Sequence, residues 1–248
     1  MGDSFTFGSF DTSVMPAIPD DAVYTSILER RMPGTAVINL GVDGYGVDQQ
    51  ALYLREEGFK YDPDLVVMAV FADNLHRSTL SFRDYFKPRY ELSSNGLSLT
   101  GLPVPDPTTL GPVEARLPAL YLLNLLRSST NTFTKENFPI GSLEIDRLNH
   151  AILDDVLSLL RNRGTPLLLV VIPEWDYYRR VDRSERILEK WAAETGTPAV
   201  FLRATFAGLP PEKKVKLYTH HWTPLGHEVA AEAIHQVIVQ RGLLPKGR

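Results

Sequence analysis

The sequence has no cysteine, which excludes disulfides, thiol catalysis and cysteine-ligated zinc. Long hydrophobic runs are missing too. The longest, Leu65–Ala72 and Leu167–Ile172, fall far short of the roughly 18–20 apolar residues that a membrane span requires. Positive charge is not in excess: 26 lysines and arginines against 30 aspartates and glutamates leave a net charge of −4. No basic field is therefore available to hold nucleic-acid phosphate or anionic lipid. Met1-Gly2-Asp3-Ser4 has neither a charged n-region nor an apolar h-region and does not read as a signal peptide. Repeats, low-complexity tracts and glycine-serine linkers are also lacking.

What remains is an ordinary globular composition of 248 residues, 44% apolar and 23% charged, enough for one large domain with a proper core. Two short apolar runs, 64–71 and 166–172, are continuous rather than alternating, as in strands buried on both faces. Residues 35–40 (TAVINL) and 199–203 read as further strands. Helices are expected over 20–31, over 48–60 with Asp48 as N-cap, over 183–195, and over 224–241 after Thr223-Pro224. A long helix is expected over 143–162, where Ile145, Leu148, Ile152, Val156, Leu159 and Leu160 recur at helical spacing. Alternating strands and helices of this kind predict a parallel sheet flanked by helices. The proline-rich stretch 75–140 breaks the rhythm. It reads as an insertion, a lid or substrate-binding element within a single domain, with one apolar helix near 117–127.

In an open parallel sheet, reactive groups gather at the carboxyl ends of the strands. This chain puts Gly2-Asp3-Ser4, Gly41-Val42-Asp43-Gly44-Tyr45-Gly46, Ala72-Asp73-Asn74, Pro173-Glu174-Trp175-Asp176 and His220-His221-Trp222-Thr223-Pro224-Leu225-Gly226-His227 at such places. Together they supply a hydroxyl, an imidazole and amide donors. A serine hydroxyl needs a base within hydrogen-bond reach, and a neutral imidazole suits that task. An oxyanion needs donors fixed in advance, which glycine N–H groups and an asparagine amide can provide.

These blocks resemble the SGNH, or GDSL-type, esterase and lipase superfamily. Gly2-Asp3-Ser4, Gly44, Asn74 and His221 follow its four blocks in order, and NLGVDGYG and HWTPLGHEVAAEAI are similar to its segments. The similarity covers roughly residues 2–74 and 165–240. It implies a flavodoxin-like three-layer α/β/α sandwich with a mainly parallel sheet. It also implies Ser4 as nucleophile, His221 as general base, and the Ser4 and Gly44 N–H groups with the Asn74 side chain as oxyanion hole. The reaction implied is hydrolysis of an acyl or O-acetyl sugar ester through an acyl-serine, with no cofactor and no metal. The superfamily carries an apolar strand just before G-D-S. This chain opens at that motif, so the central strand is expected to lie outside the given sequence. The aspartate that the superfamily places two or three residues before its histidine is replaced here by Thr219 and Tyr218. That leaves a Ser–His dyad supported by a main-chain carbonyl near Tyr218, or Glu174 or Asp176 as the supporting acid.

Rival readings exist for most of these residues. His227, inside the terminal helix, reads as a packing or capping residue, and His220 is out of step with the motif spacing. Arg77 and Lys87 read as solvated surface charge or, less simply, as groups for an acidic substrate. Leu120–Leu126 reads as a buried helix or the lining of an acyl pocket. Rival functions are an O-acyltransferase of the same fold acting on a glycan and an inactive carbohydrate-binding relative. A phosphate or nucleotide binder is a more distant option, disfavoured by the missing glycine-rich loop spacing.

Overall fold

The structure, a computed structural model, describes residues 1–8, 18–81, 85–104, 140–174 and 182–245. The main sheet holds β1 (Val66–Phe71), β4 (Leu167–Ile172) and β5 (Ala199–Phe201) in the order β1-β4-β5, all parallel. The continuous apolar runs have the expected cause. Every residue of β4 is buried, because both faces of the sheet are covered.

One face packs Val66, Met68, Val70, Leu167, Leu169 and Val171. Against it lie α3 (Val47–Glu56), α4 (Ile140–Arg163) and α5 (Arg183–Thr195), through residues such as Ala51, Leu54, Ile152, Val156, Leu160, Leu188 and Trp191. The other face presents Ala69, Leu168, Val170, Ile172 and Val200. It meets α2 (Tyr24–Arg31), α6 (Leu202–Ala207) and α8 (Pro224–Arg241) through Ile27, Leu28, Phe206, Ala230, Ile234 and Ile238. The result is the α/β fold with helices on both sides of a parallel sheet. Each fully buried aliphatic side chain in these layers contributes about 1.5–3 kcal/mol.

Several boundaries differ from the expected ones for local reasons. The helix expected over 20–31 is interrupted at Val23, which is extended, so a 3-10 turn at Asp20–Ala22 precedes α2. α3 starts one residue early and ends at Glu56, so Asp48 is not its N-cap; Gly46 is. The strand over 199–203 stops at Phe201, and α6 follows at once. A short helix, α7 (Pro211–Lys214), then leads toward α8.

The strand expected over 35–40 does not form. The segment is irregular and partly exposed, and it pairs with no strand among the described residues. Its sheet-facing edge looks onto a cavity of about 510 Å³, lined by Thr35, Val37, Ile38, Val66 and Val67 among others. Among the described residues, Met1 and Gly2 reach between it and β1. Met1 bonds to Val67 and Ala69 of β1 on one side, and Gly2 bridges Gly41 in parallel on the other. Apolar character does not make a strand without a neighbour to supply the ladder.

The described part of the 75–140 stretch is not one element. Ala72–Thr79 is a 3-10 helix, and β2 (Arg89–Ser93) pairs with β3 (Gly96–Thr100) as an antiparallel hairpin. The helix expected near 117–127, with Leu120–Leu126, lies outside the described residues. No helix among the described residues is long and apolar enough to cross a membrane.

Candidate active site

The first turn of the chain is built around Asp3. Its carboxylate accepts from the Phe5 N–H at 3.0 Å and so N-caps the single-turn helix α1 (Ser4–Phe7), which Gly8 closes in the left-handed conformation. Ser4 is the first residue of that turn, almost fully buried. Phe5 anchors the turn in the core, with its ring 5.0 Å from those of Phe71, His221 and Trp222.

The imidazole comes from the opposite end of the chain. Tyr218 and Trp222 form an isolated antiparallel bridge, and the Thr219 N–H donates to the His221 carbonyl at 2.9 Å. Trp222 is buried and fixes one side of this tight loop, while the Tyr218 hydroxyl donates to the Pro173 carbonyl at 3.0 Å on the other. Thr223 then caps α8, accepting from the Gly226 N–H, with Pro224 in the first turn. The outcome is a 2.8 Å contact between His221 Nε2 and Ser4 Oγ, across 217 residues of sequence.

Asn74 sits on the 3-10 helix that leaves the carboxyl end of β1. It is buried, and its Nδ2 donates to Asp3 Oδ2 at 2.6 Å. The segment carrying it is held by Asn149 of α4, which donates to the Leu75 and Ile145 carbonyls and accepts from the Ser78 hydroxyl. Gly44 lies in the 41–46 loop, buried, with a φ of 82° that favours glycine. That loop is tied to the first turn by the Val42 N–H, which donates to the Gly2 carbonyl at 3.2 Å. Asn39 adds a second tie, donating to the Thr6 carbonyl and accepting from Gly41.

Glu174 stands two residues past β4, part-buried at the same sheet edge; Asp176 lies outside the described residues. His220 is exposed. His227 is fully buried in α8, its ring edge-on to Trp222, and its Nδ1 accepts from the Tyr24 N–H at 3.4 Å. The reading of Lys87 as solvated charge is overturned. It is buried in an ion pair with Asp48, because the residues leading into β2 pack onto the start of α3. Sequence reasoning missed the Asp3–Asn74 contact, the Lys87–Asp48 pair and the brace at Asn149. For Asn149 there was a signal, a lone amide next to Leu148 in the apolar stripe of a helix; for the ion pair there was none.

Two buried groups give the site opposing pH responses. Burial, with the charge of His221 adding to it, pulls the His227 imidazole from 6.5 down to about 4. The unfolded chain therefore binds that proton first, and stability present above pH 6.5 is lost as pH falls toward 4. Burial pushes the Asp3 carboxyl from 3.8 up to about 6, against the Phe5 amide, Arg77 and Asn74, which all favour the ion. Here the folded chain binds the proton first, so stability is gained as pH falls from 6 to 4. The two shifts therefore oppose each other in the wild type. Chemical denaturation at pH 7 and pH 4.5 checks this. His227→Gln is expected to become more stable on acidification relative to wild type. A variant whose pH profile superimposes on the wild-type one would refute it.

No family model matches the sequence, and no curated protein matches it. Solved structures match it by fold. A catalytic mutant of Axe2, an acetylxylan esterase from Geobacillus stearothermophilus, aligns over 96% of this chain and 91% of its own, at 16% identity and a TM-score of 0.54. The lipase/acylhydrolase from Enterococcus faecalis aligns over 100% and 96%, at 16% identity and 0.55. A member of the lipolytic G-D-S-L family from Veillonella parvula aligns over 96% of each chain, at 12% identity and 0.52. The fold is thus that of GDSL-type lipases and esterases.

Proposed function

We propose that this chain is a serine ester hydrolase of the SGNH type, cleaving carboxylic esters such as acyl or O-acetyl sugar esters. One observation carries the reading: the 2.8 Å contact of Ser4 Oγ with His221 Nε2 at the carboxyl edge of the sheet. In the reaction, His221 takes the Ser4 proton as Oγ attacks the ester carbonyl. The negative oxygen is received by the Ser4 and Gly44 N–H groups and the Asn74 amide. Collapse breaks the carbon–oxygen bond to the alcohol, which leaves with the proton carried by His221. Water, deprotonated by the same imidazole, then releases the acid and restores Ser4. The acetylxylan esterase and lipase character of proteins with this fold supports the substrate class. In this scheme the imidazole is supported by a main-chain carbonyl near Tyr218, or else by the part-buried Glu174 beyond β4 or by Asp176, which lies outside the described residues.

The test is hydrolysis of p-nitrophenyl acetate together with labelling by a fluorophosphonate. The expected result is ester turnover and a single covalent adduct on the peptide containing Ser4. A folded protein that neither releases p-nitrophenol nor takes the label would refute the reading.

A further inference from the structure

The Asn74 amide is held in an unusual way. Its Nδ2 donates to the buried Asp3 carboxylate at 2.6 Å, while its Oδ1 is buried with no hydrogen-bond partner among the described residues. An unpartnered buried carbonyl oxygen is costly, so something must prevent the amide from turning over. A carboxylate can only accept, and turning the amide would set Oδ1 against the Asp3 oxygens. Protonated, Asp3 could donate to Oδ1 instead, and the amide could turn without loss. The amide therefore has two orientations, and the proton on Asp3 selects between them.

We propose that Asp3 is a positioning residue, whose ionised carboxylate fixes the orientation of the Asn74 amide and so keeps its second N–H available as the oxyanion donor. This deepens the ester hydrolase reading and rests on it. The groups acting on Asp3 are few. Arg77, on the same 3-10 helix as Asn74, favours the ion. Tyr24 of α2 is kept neutral by burial, with its phenol held far above its usual range, and the Asp3 charge adds to that. His221 stands one residue away on Ser4. Burial brings the Asp3 carboxyl to about 6, so the switch falls within a range where an esterase can be assayed.

Three measurements decide it. First, log kcat/KM for p-nitrophenyl acetate is followed from pH 4.5 to 8. The wild type is expected to need two deprotonations, of Asp3 and of His221, with a limiting acid slope near two. Asp3→Asn retains an N-cap acceptor but no longer selects the amide orientation. It is expected to show a slope of one and a plateau lowered about 10- to 100-fold, less than the loss of an oxyanion donor outright. Second, Asp3→Asn is expected to add nothing in an Asn74→Ala background, whereas a merely structural role would still add its own loss. Third, the Asn74 side-chain amide resonance, assigned by its absence in Asn74→Ala, is expected to titrate with Asp3 in the wild type.

An unchanged plateau and slope in folded Asp3→Asn, or an additive double variant, would overturn the proposal. A wild-type Asn74 resonance that does not move with pH would overturn it as well, even if Asp3→Asn fails to fold. A wild type inert toward esters whose Asn74 resonance titrates would sink the esterase reading and leave the Asp3–Asn74 coupling standing.

Discussion

Alanine at Ser4 or at His221 is expected to lower kcat for p-nitrophenyl acetate by roughly 10⁴–10⁶-fold, the range seen when a nucleophile or its base is removed. Neither change should unfold the protein. The turn that bears Ser4 is capped by Asp3 and anchored by Phe5, neither of which depends on the hydroxyl. His221 is part-exposed, and its loop is held by Trp222, Thr223 and main-chain bonds. The two losses should not add, because in the proposed mechanism one group attacks and the other takes its proton in the same step. The double variant is expected to be no slower than either single one. Residual activity above water would reflect the amide donors alone. Ser4→Ala retaining a tenth of wild-type turnover, with a native circular dichroism spectrum, would remove the hydroxyl from the chemistry.

Much of this arrangement was legible in the sequence, and the reasons are local. β1 and β4 could be read because a strand covered on both faces must be apolar throughout, whatever its neighbours are. α4 could be read from its 3.6-residue pattern, and α8 from Thr223-Pro224 at its start. Ser4, Gly44, Asn74 and His221 stood out because their blocks, taken in order, resemble those of the SGNH superfamily, rather than by any property of each residue alone. What failed had a non-local cause. Residues 35–40 have strand-like composition, but pairing is decided by the adjacent chain, and among the described residues the parallel bridge from Gly2 falls just past them, at Gly41. Lys87 looked like any surface lysine, since its partner Asp48 lies 39 residues away in sequence. Ser78 and Asn149 are 71 residues apart, and so are Asp3 and Asn74; no periodicity links either pair. Polar partners of this kind become visible only when the chain is folded.

Lys87→Met is expected to destabilise the protein by about 3–5 kcal/mol, the typical cost of stranding one member of a buried ion pair. Both partners are desolvated. Burial lowers the affinity of Lys87 for its proton and raises that of Asp48, each opposed by the other's charge. Asp48 Oδ1 has no hydrogen-bond partner among the described residues, so removing the ammonium leaves a buried carboxylate without its charged partner. The combined change Lys87→Met with Asp48→Leu is expected to recover most of the loss, because well-packed apolar groups cost nothing to desolvate. Midpoints of urea denaturation for the two single variants and the double variant measure this directly. The sign with pH is also fixed. In Lys87→Met the Asp48 carboxyl loses the ammonium that opposes its upward shift, so the variant regains more stability as pH falls than the intact pair does. The pair joins the residues before β2 to α3, and α3 begins just past Gly44 and Gly46. A loosened hairpin should therefore raise KM or lower kcat at temperatures where Lys87→Met is still folded. A Lys87→Met protein within 1 kcal/mol of wild type, with unchanged kinetics, would reduce the pair to the standing of an exposed salt bridge.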